Sequence, residues 1–175
     1  TRLGHDVRLH ACVGDDELGG VCRRQLAERV RTLDLATTSL GTIYSIVIEH
    51  PRHDLTFWQY EGANADFDPR GLELAEDVNV LHVGYPSLVP SLSADTELLA
   101  DAFRDARSRG IVTSLDLAHV ADGSVASRVD WRDWFARTVA WTDIWSPSWD
   151  DVSSALGLTC EATPERLEET AAEML

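Results

Sequence analysis

Trp141-Thr-Asp-Ile-Trp-Ser-Pro-Ser-Trp-Asp-Asp151 reads as a buried strand that stops and gives way to a helix. Pro147 cannot extend strand pairing, Ser148 is a good N-cap, and Asp150 and Asp151 put negative charge in the first turn, where the helix dipole favours it. In an open α/β sheet such strand-to-helix turns lie at the carboxyl edge, where ligands gather. A carboxylate there can hold a divalent metal beside substrate phosphates. The same residues also describe an ordinary helix cap, and both readings stand on composition alone.

Working outward, Asp77-Val-Asn-Val-Leu-His-Val-Gly-Tyr85 is a near-continuous apolar run, the mark of a parallel strand buried on both faces. Gly84-Tyr85-Pro86 breaks it. Ser93 then predicts the cap of a helix through Leu98, Leu99, Ala102, Phe103 and Ala106, stopped by Gly110. Ile111 to Leu117 is the next strand, with Asp116 near its carboxyl end. Asp130 opens a helix that turns Trp131, Trp134, Phe135 and Val139 inward, and the quoted stretch follows. This alternation predicts a parallel sheet with helices on both faces, and it places Asp116 and the Ser148–Asp151 turn on one edge. Thr163 and Pro164 start an acidic final helix that runs to Leu175. The tryptophans from Trp131 onward sit at helical and strand spacing, which favours a core role over base stacking.

The first part of the chain has a different texture. Val7 to Val13 alternates as a strand, Gly14-Asp-Asp16 turns, and a helix is expected from Glu17 to Arg31 with Leu18, Cys22, Leu26 and Val30 on one stripe. Asp15 and Asp16 read as capping residues. Thr42-Ile-Tyr-Ser-Ile-Val-Ile-Glu49 and Leu55-Thr-Phe-Trp-Gln-Tyr60 form a hairpin with a medium loop, His50-Pro-Arg-His-Asp54. Tyr44, Ile46 and Ile48 share one face and Ile43 and Val47 the other, so the hairpin should cover something and touch a neighbour, such as a second subunit. His50 and His53 lack a third ligand and read as solvated. Gly62 and Asn64 tolerate positive φ and suit a sharp re-entry.

With 175 residues and 44% hydrophobic content the chain can bury a core as a single domain. Its 15 basic and 30 acidic residues give a charge of −15, which disfavours nucleic acid and anionic membranes as partners. A small molecule or a protein is expected instead. An anionic ligand would need a metal, a helix N-terminus or a local cation. Cys12, Cys22 and Cys160 form no C-x-x-C pair and read as reduced thiols of a cytoplasmic protein. No signal peptide or bilayer-length apolar run is visible. The chain begins at Thr1 without methionine and enters a strand almost at once, which suggests a fragment. Walker, dinucleotide, nucleophile-elbow and zinc motifs are all missing from it.

Leu3-Gly4-x-x-Val7 with Ala11-Cys-Val-Gly-Asp-Asp-Glu-Leu-Gly19 resembles the opening of the PfkB/ribokinase family of carbohydrate kinases. Gly62-Ala63-Asn64 is similar to that family's G-A-N element, Asp116 to the aspartate ending a central strand, and Asp143-Ile-Trp-Ser-Pro147 to its D-I-x-x-P segment. The pieces fall in family order along essentially the whole chain. The resemblance implies a three-layer α/β/α ribokinase-like parallel sheet with a protruding β-hairpin lid, residues 42–60 forming the lid of a partial domain spanning 1–175. It implies transfer of the ATP γ-phosphoryl group to a sugar or nucleoside hydroxyl with Mg²⁺, a chemistry that depends on positioning and charge neutralisation.

Carried over by position, Thr42, Tyr44, Asn64, Gly84 and Tyr85 border the sugar. Asp116 and Ser148 lie on the phosphate and nucleotide side, and Asp151 stands where the metal-linked glutamate would be. Ser148 and Asp151 replace the family's Asn and Glu, losing an amide at one position and a methylene of reach at the other. The segment from Leu35 to Gly41 is short for the family. The G-A-G-D segment with the catalytic base does not occur in these residues, nor does the N-terminal sugar-binding strand. No catalytic residue is therefore expected within 1–175, and this chain by itself is not expected to turn over. An inactive relative that binds a sugar or nucleoside, and a module that dimerises through the hairpin, are the alternative readings.

Overall fold

The computed structural model describes residues 3–70 and 72–174, with backbone only at 53–55. The chain divides into two compact units at Asp68.

In the first unit, β1 (Arg8–Gly14), α1 (Glu17–Ala27) and β2 (Thr32–Thr38) form a βαβ crossover, the strands parallel from Arg8↔Thr32 to Gly14↔Thr38. The sequence predicted neither β2 nor the early end of α1. The helix expected to reach Arg31 stops at Ala27, where the Glu28, Arg29 and Val30 amides all turn back to the Leu26 carbonyl. Val30 completes an i+4 stripe in the sequence but lies outside the helix. Arg23 fastens α1 to the new strand by donating to the Leu35 carbonyl and the Thr37 hydroxyl. Leu18 and Val21 stay exposed, and the helix's buried residue is Gly19, where a side chain would collide with the Gly14 carbonyl.

The hairpin forms as β3 (Tyr44–His50) and β4 (His53–Tyr60), antiparallel, with Tyr44↔Tyr60, Ile46↔Trp58 and Val47↔Phe57 opposed. Its turn is tighter than the sequence suggested, since only Pro51 and Arg52 separate the strands. The side chain of His53 lies outside the described residues; His50 is exposed, as expected of a solvated residue, and its Nδ1 accepts the Arg52 amide at 3.3 Å. A 3₁₀ turn, Gly62–Asp66, follows at once. Gly62 has φ +46°, and a side chain there would run into the Gly41 carbonyl and the Tyr60 ring, so the re-entry does require glycine.

In the second unit β5 (Val80–Val83), β6 (Val112–Leu115) and β7 (Ile144–Trp145) form a parallel sheet in that order. The helices are α2 (Pro90–Ala94), α3 (Leu98–Ser108), α4 (Trp131–Thr138), α5 (Trp149–Leu156) and α6 (Pro164–Met174). The core is aromatic. Trp134, Phe103 and Phe135 are fully buried with Leu99, Leu115 and Leu117, and Trp131, Trp134 and Phe135 pack ring on ring at centroid separations of 5.2–5.7 Å. Asp130 caps α4 through the Asp133 amide, as predicted.

Three expectations change here. Ser93 lies inside α2 and donates back to the Val89 carbonyl, so it does not cap α3, whose N-cap position is Glu97. The strand of the opening stretch shrinks to Ile144 and Trp145. The strands are also not buried on both faces. Thr113 and Leu115 point into the core, but on the other face Val80 is 55% and Ile144 52% exposed, with Val112 and His82 also open. Apolar character on both sides of a strand reports what a sheet can cover, and among the described residues these four side chains remain open.

Candidate functional site at the carboxyl edge of the parallel sheet

Parallel pairing brings the carboxyl ends of β5, β6 and β7 to one edge, with Val83↔Leu115 and Leu115↔Trp145 as the last pairs. Gly84 and Tyr85 leave β5 there, Asp116 leaves β6, and the turn to Ser148 leaves β7. Main-chain bonds lock the three exits together: the Asp116 amide donates to Val83 O (3.1 Å), the Tyr85 amide to Asp116 O (3.1 Å) and the Ser146 amide to Leu115 O (3.1 Å). Asp116 and the Ser148–Asp151 turn thus share the edge that the topology predicted.

Tyr85 has φ 58°, the one positive value at a non-glycine among the described residues. Asp116 is part-buried, and its Oδ1 accepts the Leu117 amide at 2.9 Å. Ser148 caps α5 by accepting the Asp151 amide (3.2 Å), and Asp151 Oδ2 accepts from the Ser148 amide (2.9 Å) and hydroxyl (2.6 Å). This reciprocal capping box accounts for both residues as a helix start. It occupies one carboxylate oxygen and leaves Oδ1 as the atom that could meet a cation. A cleft lined by Ser148, Trp149, Asp150, Ser153, Cys160 and Glu161 shares the cap, and its charged groups are all acidic.

Asp143 was read only as part of a motif, yet it stitches the amino side of the sheet. Its Oδ2 accepts from the Thr113 amide (2.9 Å) and hydroxyl (3.1 Å), and its own amide donates to that hydroxyl (3.0 Å). The Thr113 amide bond, with help from its hydroxyl and Arg107, holds the carboxyl below the usual aspartate range despite partial desolvation.

The first unit contains a matching knot. Thr42, expected at the sugar, is 3% exposed; its hydroxyl donates to Asp16 Oδ1 (2.7 Å) and accepts the Gly14 amide (2.9 Å), while its amide donates to Asp16 Oδ2 (2.7 Å). Asp16 also caps α1 through the Gly19 amide (2.7 Å). The Thr42 hydroxyl, then the Gly19 and Thr42 amides, lower the Asp16 pKa. Thr42 therefore fixes the entry to the hairpin and has its hydroxyl committed internally. Tyr44 is half-exposed beside Tyr60, ring centroids 5.5 Å apart, and Asn64 sits in the 3₁₀ turn after Gly62. The Asp16–Thr42 link joins residues far apart in sequence, and spacing rules carry no signal for it.

No protein-family model and no curated protein matches the sequence. Solved structures do match the fold. A ribokinase from Giardia lamblia superposes with TM-score 0.70 at 13% identity, covering 94% of this chain and 47% of its own. A fructokinase from Xylella fastidiosa gives 0.69 at 18%, covering 99% and 53%, and an Arabidopsis thaliana ribokinase complexed with ribose and ATP gives 0.61 at 13%, covering 97% and 51%. The chain therefore has the ribokinase-like α/β fold of these sugar kinases and spans about half their length.

Proposed function

We propose that the intact protein is a PfkB-family kinase that transfers the γ-phosphoryl group of ATP to a hydroxyl of a sugar or sugar-like substrate, residues 1–175 supplying its lid and part of its central sheet. The supporting observation is that the fold of solved ribokinases and fructokinases extends over nearly all of this chain while its parallel strands gather Gly84, Tyr85, Asp116 and Ser148 at one carboxyl edge. Ligands of open α/β sheets occupy that edge.

In this reading Gly84 and Tyr85 meet the sugar in the second unit; in the first, Asp16 and Thr42 hold the base of the hairpin, and Tyr44 and Asn64 are its sugar-side residues. Asp116 and Ser148 belong to the phosphate side. Mg²⁺ fits only as an ion brought with the nucleotide: among the described residues no three His, Cys, Asp or Glu side chains cluster, and Asp151 offers one uncommitted oxygen. Bound there, the ion would neutralise charge on the phosphates. The α5 amides favour an anion, whereas Asp150 and Asp151 in its first turn oppose one, so such a counter-charge is needed. The three free thiols suit a reducing, cytoplasmic setting, and no described helix is long and apolar enough to cross a membrane.

A coupled ADP-release assay of the intact protein across sugars and nucleosides tests the proposal: acceptor-dependent ADP is expected, and none with any acceptor overturns it. The capping box favours a second reading, an inactive relative that binds the same ligand, because Asp151 is already engaged. That reading predicts ligand-induced thermal stabilisation with no ADP. The exposed Ile46, Val47, Phe57 and Trp58 on opposite faces of the hairpin support a homodimer formed through it.

A further inference from the structure

Asp122-Gly123 is the one Asp-Gly step in the sequence, and neither Asn64 nor Asn79 is followed by glycine. The pair lies in the loop between β6 and α4. Ahead of it the Ser87 hydroxyl donates to Ala118 O (2.8 Å) and Ser154 Oγ accepts the Val120 amide (3.0 Å); behind it Trp131 Nε1 donates to Ala126 O (2.9 Å). Between those ties the Ser124 amide donates to Ala121 O (3.1 Å) and closes a turn with Asp122 and Gly123 at its centre. Both central residues are exposed, and Gly123 has φ +76° with nothing within 4 Å of where a Cβ would stand. Among the described residues the Asp122 carboxylate and the Gly123 amide have no hydrogen-bond partner. Asp101 and Asp105 also precede a small residue, but Ala102 and Ala106 lie inside α3, where amides are committed to helical bonds. At Asp122 a carboxyl carbon and a free main-chain nitrogen are neighbours, the peptide between them has room to rotate, and glycine offers no side chain to obstruct their approach.

We propose that Asp122 and Gly123 form a site of spontaneous modification, where the main chain passes from the α-carboxyl to the β-carboxyl of Asp122. The Gly123 nitrogen attacks Cγ of the protonated Asp122 carboxyl. The C–N bond forms as the carboxyl hydroxyl leaves, and that hydroxyl takes the amide proton and departs as water. Water then adds to the cyclic imide at the former main-chain carbonyl, the bond from that carbon to nitrogen breaks, and the nitrogen recovers a proton. One water is lost and one regained, so the product is an isomer and no oxidant or other reactant is needed. The chain now runs through Cβ and Cγ, and the carboxylate sits on Cα. The loop that leaves β6 at Asp116 thereby gains one backbone carbon at its exposed turn. The site is independent of any catalytic role of the sheet edge.

The test ages the intact protein at neutral pH and physiological temperature and then maps it with trypsin. Gly110 to Arg128 is one tryptic peptide and holds both Asp116 and Asp122. A second chromatographic peak of unchanged mass should grow with time, and electron-transfer fragmentation should place the isomer at Asp122. Asp116, followed by the buried Leu117, is the internal control and should stay unmodified. Gly123→Ala should suppress the second peak. The comparison of native and Gly123→Ala protein is repeated in urea, so that any loosening of the turn by a side chain at positive φ does not enter, and the variant should again be the slower. No second peak from the native protein, an equal amount of isomer at Asp116, or an undiminished peak from Gly123→Ala in urea overturns the site.

Discussion

Residues 69–174 close over Phe103, Trp131, Trp134 and Phe135, whereas residues 3–68 bury little larger than Val13, Leu35 and Thr42 and leave the apolar hairpin in solvent. Both units use the same polar device, an aspartate that accepts the amide and hydroxyl of a distant threonine: Asp143 with Thr113 in one, Asp16 with Thr42 in the other. In the aromatic unit that device trims an interior already sealed. In the first unit it lies at the junction of helix, strand and hairpin, so the geometry there depends on hydrogen bonds and on glycines that let backbones approach. A unit with so few large buried apolar side chains is expected to open locally at a lower free-energy cost than one packed on tryptophan.

The contrast is broken most forcefully at Trp134, which is fully buried and donates from Nε1 to the Leu92 carbonyl at 2.9 Å. Trp134→Ala should cost about 3–5 kcal/mol in urea unfolding followed by circular dichroism, from the cavity and the orphaned carbonyl. A loss under about 1 kcal/mol would mean that the aromatic cluster does not carry this unit. Next comes Gly62→Ala, which combines positive φ with a clash on Gly41 and should cost about 2 kcal/mol or more, read in the same titration.

The aspartates give the third test. Both have lowered folded-state pKa values, so the unfolded chain binds more protons at acid pH. Their stabilisation is complete above the unfolded pKa, about 4, and is lost as pH falls through the lower folded values. Melting temperature should therefore drop through that window, and Asp16→Asn should flatten the drop while lowering the plateau at pH 7. An unchanged acid limb in Asp16→Asn would remove the knot from the account. The smallest stability change belongs to the hairpin: Ile46→Lys with Ile48→Lys should alter unfolding by only about 0.5 kcal/mol per site, because both are exposed, yet should halve the mass in sedimentation if the hairpin is the dimer contact. An unchanged mass refutes that contact.

What could be read from the chain divides along the same line. The aromatic unit announced itself through apolar runs and helical spacing, and α4 with its Asp130 cap and inward Trp131, Trp134 and Phe135 stands as expected. Its errors concerned the Ser93 cap, the length of the last strand and the exposure of one strand face, all of which depend on tertiary context that composition does not carry. In the first unit β2 went unseen because Thr32-Leu-Asp-Leu-Ala-Thr-Thr38 has only two large apolar residues and the helical stripe before it continues in the sequence through Val30. Parallel alternation was enough to place Asp116 and Ser148 on one edge. The capping box at Ser148 and Asp151 was legible from residue type, but the engagement of Thr42 by Asp16 and the left-handed Tyr85 depend on tertiary geometry.

A crystal structure of the intact protein with a sugar and a non-hydrolysable ATP analogue tests the central claim most directly. The sugar should lie against Gly84 and Tyr85, with the terminal phosphate nearer the Asp116 and Ser148 exits of the same sheet edge. A sugar bound at the amino edge, near Asp143, or on the open face of Val80 and Ile144, would contradict it.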